Sequence, residues 1–211
     1  MLDFKIKEKI ALEVIRTLYH RFNNFPENAD KNRNAPFHEA FLKAFSDKLQ
    51  GKVPDTPFFI SLSSWLHGLN TTLGQAFFEK VAHHLSNGEK REYTSKKLGN
   101  LPITQKQREN ITNTIVDLSN SCYKPDLKKE NDLLFKNSTG NTINAVDFSA
   151  DVFFNNLNSI VAIELKTVKP NSGEMKNEKN KILEGKAALY NKYKNKSIHF
   201  FIFFSFNSTV D

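Results

Sequence analysis

The sequence predicts an α/β fold, a mixed sheet flanked by helices behind a helical N-terminal region, and three observations predict it. Two strand-like runs, roughly Phe148–Asn155 and Ser159–Val168, flank an Asn-rich break, which is the pattern of an antiparallel hairpin. Pro170 stops the second run, and Asn171 with Glu174 three residues later forms a capping box for a helix reaching about Tyr193. Ser197–Phe206 is then strongly apolar, as in a central strand covered on both faces. The expected core order is helix, three strands, helix, strand.

Upstream, apolar residues recur from Phe4 to Phe22 at Ile6, Ile10, Val14 and Leu18, with Phe4, Ala11, Ile15 and Phe22 widening the stripe. That spacing predicts an amphipathic helix packed on its own domain, or on a second copy. Asn23–Arg33 reads as a loop. A second helix has Asn34 as its cap, Pro36 in the first turn, and Phe37, Phe41, Phe45, Ala40 and Ala44 on one face, with Gly51 just past its end. After Pro54–Pro57 the chain reads as a short turn and then a helix over about Thr71–Ser86, closed by Gly88, with Leu73, Phe77, Val81 and Leu85 buried. His83 and His84 are adjacent, so they cannot share a helix face, and no Cys/His spacing supports zinc.

Glu89–Lys106 reads as a basic loop carrying Lys90 and Arg91, either a phosphate-contacting arm or a solvated segment. A helix at Thr104–Asn120, a short strand at Asp132–Lys136 and a turn at Ser138–Asn141 lead into the hairpin. The helix after Pro170 is expected to bury Met175, Ile182, Leu183, Leu189 and Tyr190, while its many lysines suit either a DNA backbone or solvent.

Composition bounds the function. A hydrophobic fraction of 39% with 19 Phe supports a real core and excludes disorder. No apolar run approaches the roughly 20 residues that span a membrane, and no secretory signal opens the chain. The single Cys122 excludes an intramolecular disulfide and fits a reducing cytosol, so a cytoplasmic protein is expected. A net charge of +7 favours an anionic partner such as nucleic acid. With 211 residues and no clear linker or repeat, a helical region at 1–60 is expected to pack on a core at 61–211 as a single domain.

The hairpin carries the chemistry. Successive strand residues alternate faces, so Glu164 and Lys166 point one way while Ile163 and Leu165 point the other. Folding about Leu157 sets Asp151 opposite residue 163 or 164, where directly opposed Cβ atoms lie about 5 Å apart. Two carboxylates so close repel unless something positive sits between them, and hard oxygen ligands suit a magnesium-type cation. The rival acid, Asp147, falls opposite Thr167 or Val168, past the useful strand. An Asp followed by Glu-x-Lys on the paired strand resembles the PD-(D/E)xK nuclease motif; the same pattern also fits an exposed face with cross-strand ion pairs. Phosphodiester hydrolysis needs a metal to stabilise phosphate charge and to generate a nucleophilic water, and an ammonium can hold that water or neutralise charge.

NAPFHEAFL at 34–42, SLSSWLHGLNTTLGQAFFEKVAHHLSNGEKREY at 61–93, and ADVFF with IELKTVKPNSGEMKNEK within 150–179 resemble the TdeIII-type family of type II restriction endonucleases. The resemblance implies a restriction-endonuclease-like core with Asp151, Glu164 and Lys166 catalytic. It implies Mg2+ held by Asp151, Glu164 and the carbonyl of Leu165, with Lys166 positioning the attacking water. Glu79, on a helix before the hairpin, is a candidate additional acid, and Lys169, Asn171, Lys176, Lys179, Lys90 and Arg91 are candidate DNA contacts. The substrate would be double-stranded DNA at a short palindrome, GGNCC in such relatives, cut by a homodimer in a system with a cognate DNA methyltransferase. Ala150 stands where the motif has Pro. The relatives run on past the last strand, so a shortened C-terminus lacking part of the base-reading or dimer surface is expected. The rival readings are a DNA-binding relative that no longer cuts and a structure-selective repair or junction nuclease of the same fold.

Overall fold

A computed structural model of the chain describes residues 2–25, 40, 43–49, 51–52, 56–136, 138–167 and 171–204. The chain forms two compact units, Met1–His84 and Leu85–Asp211.

In the first unit, α1 (Phe4–Asn23) is the helix its periodicity predicts. Its apolar stripe is not buried, however: Phe4, Ile15 and Phe22 are 77%, 60% and 60% exposed. Polar groups anchor the helix instead. The Arg21 guanidinium donates to the Trp65 carbonyl at 2.6 Å, and the Trp65 indole donates back to the Arg21 carbonyl at 2.7 Å. Period alone does not reveal such anchors. The helix expected from Asn34 lies mostly outside the described residues; Ala40, Lys43, Ala44 and a short α2 (Ser46–Leu49) are helical there, Phe45, expected on its buried face, is exposed, and Gly51 has φ +74°.

The expected short turn after Pro57 is in fact helical. Here α3 (Thr56–Thr72) runs through a π-helical segment, Leu73–Phe77, into α4 (Phe78–Ser86). Gly68 is no break but the point of closest approach, because a Cβ there would lie 2.6 Å from Arg21 Nη2. The expected domain division at residue 60 falls inside α3. Leu73, Phe77 and Val81 are half-buried and Leu85 is exposed. The left-handed residue that ends α4 is Asn87, at φ +55°, rather than Gly88. Gly88 is needed for another reason: a Cβ would meet Val152 Cγ1 at 2.7 Å.

The second unit holds the sheet. Its strands are β1 (Glu89–Tyr93), β4 (Phe148–Asn155), β5 (Ser159–Lys166) and β6 (Ser197–Phe204), in the order β1-β4-β5-β6. The basic stretch expected as loop therefore supplies the first strand; charge is tolerated there because β1 is an edge. A separate ribbon pairs β2 (Pro102–Thr104) with β3 (Thr142–Asn144). Between them, α5 (Gln105–Ser119) starts from a capping box of Thr104 and Gln107, close to its expected bounds.

The strand expected at Asp132–Lys136 is instead the end of α6 (Leu127–Phe135). Asp126 caps it by accepting from the Lys129 amide at 3.0 Å, and buried Glu130 is bound by Lys179 at 2.6 Å. A run as short as Leu133–Phe135 shows no period of its own, so the upstream cap decides the matter.

The hairpin forms as predicted, its first strand with the expected bounds and its second ending at Lys166 rather than Val168, and α7 (Ser172–Lys192) opens with the Asn171/Glu174 capping box. It buries Leu183, Gly185, Ala187, Ala188 and Leu189, whereas Met175, expected inside, is 36% exposed. Gly185 marks the closest approach to the sheet; a Cβ there would lie 2.8 Å from Phe200 and 2.9 Å from Phe148. The last strand, β6, runs parallel to β5 at the sheet edge rather than at its centre. Ile198 and Phe200 face the core, while Phe201 and Phe203 are 48% and 57% exposed, so one face of the strand is covered among the described residues.

Candidate active site on the central hairpin

The β4–β5 ladder pairs Val152 with Ile163, so one step on Asp151 faces Glu164. Alternation along β4 is interrupted just here. Against β1, Glu89 pairs with Phe153 but Arg91 pairs with Ala150, so Lys90 faces both Asp151 and Val152. Such a bulge re-aims side chains. Phe148 and Ala150 before it and Phe153 after it all join the same core cluster, which strict alternation would forbid.

The carboxylate of Asp151 is held from both sides. Its Oδ2 accepts from the Leu165 amide at 2.9 Å and its Oδ1 pairs with Lys90 Nζ at 3.3 Å. Lys166 Nζ lies between Glu164 Oε1 at 3.0 Å and Glu178 Oε1, from α7, at 3.3 Å. The Ser149 hydroxyl donates to the other Glu164 oxygen at 3.4 Å. A cavity of about 140 Å³ adjoins them, lined by Glu92, Asp147, Ser149, Glu164 and Glu178 among others. Asp147, the rival acid, accepts a 2.6 Å bond from Asn100 at its rim.

Burial first, and then the Asp151 charge, push the Glu164 carboxyl above its ordinary value, outweighing the pull of Lys166. Burial works against the Lys166 ammonium, but its bonds to Glu164 and Glu178 prevail and hold its pKa above the ordinary one. This lysine is therefore a stable cation. Two carboxylates crowded against their own repulsion are the donors a hard cation relieves. Among the described residues no group of three or more His, Cys, Asp or Glu forms a metal cage. Two carboxylates alone suit a hard divalent cation that keeps several of its waters. Asp151 and Glu164 would hold it.

A family model of HinfI, a type II restriction endonuclease, matches residues 2–210. The chain belongs to the HinfI family of type II restriction endonucleases. It is 44% identical over 212 residues to the type II restriction enzyme MjaII of Methanocaldococcus jannaschii, covering 99% of this chain but 56% of that protein's length. No solved structure matches. The matched family and the resemblance read from the sequence agree at the level of type II restriction endonucleases.

Within this HinfI-family chain the remaining candidates fall at different places. Arg91 lies over the Phe153 ring at 4.3 Å and pairs with Glu89 at 2.6 Å. Asn171 serves as the α7 cap. Lys179 is tied to Glu130, Lys176 is exposed, and Lys169 lies outside the described residues. Glu79 stands on α4, in the first unit. Sequence reasoning missed Glu178 and the place of Lys90. Counting one turn on from Glu174 could have found the former; the bulge that places the latter leaves no trace in residue types.

Proposed function

We propose that this chain carries the nuclease module of a type II restriction endonuclease, hydrolysing phosphodiester bonds of double-stranded DNA with Mg2+. The observation that carries this reading is the meeting of Asp151, Glu164 and Lys166 on the β4–β5 hairpin of a HinfI-family chain. In it, Asp151 and Glu164, with the Leu165 carbonyl, hold the cation. When bound, that cation would neutralise phosphate charge and acidify a water. Lys166 holds the attacking water and faces the charge that develops on the phosphate. The Leu165 amide fixes the orientation of Asp151, and Lys90, 3.3 Å from Asp151 Oδ1, would turn to a phosphate oxygen once the cation takes over Asp151.

The finer points belong to the same proposal. A homodimer would cut both strands of a palindrome. The TdeIII-type likeness makes GGNCC the first target to try, Lys176 and Lys169 are proposed backbone contacts, and Glu79 is a proposed extra acid. A cytoplasmic location and a cognate methyltransferase complete the reading. Because the chain spans about half of MjaII, these are proposals for the module and not for a whole enzyme.

The test is plasmid cleavage by the purified chain with Mg2+, with EDTA and Lys166→Ala as controls and the cut ends mapped. Discrete ends at one short palindrome that vanish in both controls are expected. Undiminished cutting by the variant would sink the site. Salt-sensitive duplex binding without cutting would favour the binding-only relative, and preference for branched DNA the junction nuclease.

A further inference from the structure

Among the described residues, Glu178 is the one carboxylate paired with the proposed catalytic lysine that neither the motif nor the hairpin supplies. Its place is fixed by the fold. The capping box sets the start of α7 at Asn171, and Gly185, seated on Phe148 and Phe200, fixes the rotation of the helix on the sheet. Glu178 stands two turns before Gly185 and so shares its face. Its side chain is 13% exposed and its Oε1 lies 3.3 Å from Lys166 Nζ.

Lysine is a point charge on a flexible stem. With Glu164 as its single acceptor, the ammonium would settle on that carboxylate and cancel the charge a cation needs. We propose that Glu178 is a positioning residue: stretched between Glu164 on β5 and Glu178 on α7, Lys166 is kept over the site and off full pairing with the metal-holding carboxylate. Glu178 is not a third ligand in this scheme. Among the described residues no three-carboxylate group forms, and its Oε1 already serves Lys166 and, at 3.4 Å, Lys181. The inference rests on the proposed roles of Asp151, Glu164 and Lys166.

The test uses the full chain and the variants E178Q, E178D, K166A, K166M and E178Q/K166M. E178Q should lower kcat by about 10- to 100-fold, as loss of an outer positioning contact does, with KM for DNA within about twofold. E178D, which keeps the charge, should recover most of the rate. In the metal-free chain, the unfolding midpoints of E178Q, K166M and the double variant should be non-additive, because the two groups touch. Wild-type cleavage by E178Q beside a dead K166A overturns this inference and leaves the site standing. Wild-type cleavage by K166A overturns both. Equal loss in E178Q and E178D with additive midpoints means Glu178 is merely structural and overturns the positioning role. Should the chain not cut, the midpoints decide: coupling supports the contact, additivity overturns it.

Discussion

Gly185→Ala measures how closely α7 is pressed on the sheet. The added Cβ would stand 2.8 Å from Phe200 Cε1 and 2.9 Å from Phe148 Cδ2. Carbon atoms prefer about 3.5–4.0 Å, so the shortfall is large, and both rings are core residues, 7% and 3% exposed, that cannot swing away. Overpacking of this kind costs roughly 1–3 kcal/mol. Replacing a helix-interior glycine by alanine returns about 1 kcal/mol at most. With two buried rings in the way we expect a net loss of about 1–2 kcal/mol, a fall of roughly 2–8 °C in Tm for a chain of this size. Gly173, on the same helix, is the control: its Cβ would meet Asn171 Oδ1 at 3.5 Å, an ordinary contact, so Gly173→Ala should raise Tm slightly. Thermal unfolding by circular dichroism reads both. A Tm for Gly185→Ala at or above wild type would refute the close approach, and with it the rotation that brings Glu178 to Lys166.

Glu164 holds its proton more tightly folded than unfolded, through burial and then Asp151, so its ionisation costs stability. The Tm of the metal-free chain should therefore fall as pH rises from the ordinary 4.5 through the raised value, and Glu164→Gln should lose that fall; parallel curves would count against it. Gln107 is fully buried, accepting from the Thr104 amide and donating to the Leu134 carbonyl, both at 2.8 Å. Gln107→Ala should cost about 2–4 kcal/mol in denaturant unfolding, from a lost cap and an orphaned carbonyl, and a cost under about 0.5 kcal/mol would contradict that network.

The hairpin, the capped helix after it and the final strand were legible because each rests on local rules: alternation, a capping box, an apolar run. That Asp151, Glu164 and Lys166 come together was legible for the same reason, since register across a short hairpin follows from its turn. What failed was decided at longer range. Glu89–Tyr93 looks like a solvated basic loop until β4 is present to pair with it, with Tyr93 fully buried behind the charges. Gly68 and Gly185 look like weak points in helices, but they are where another element comes closest. The stripe on α1 predicts burial, yet the partners that hold that helix are Arg21 and Glu13.

The electrostatics also narrow what Lys166 does under the proposed function. A general base must shed its proton near working pH, and burial pushes a lysine that way. Here Glu164 and Glu178 reverse the effect of burial and keep the group an ammonium. In the metal-free chain Lys166 is thus a donor, able to bond a water and to offset charge on a phosphate under the proposed function. Two lysines, Lys90 on Asp151 and Lys166 on Glu164, hold the crowded acids apart. The bulge that sets Lys90 opposite Asp151 and the glycine contact that seats the helix bearing Glu178 therefore shape the candidate site alongside the motif residues.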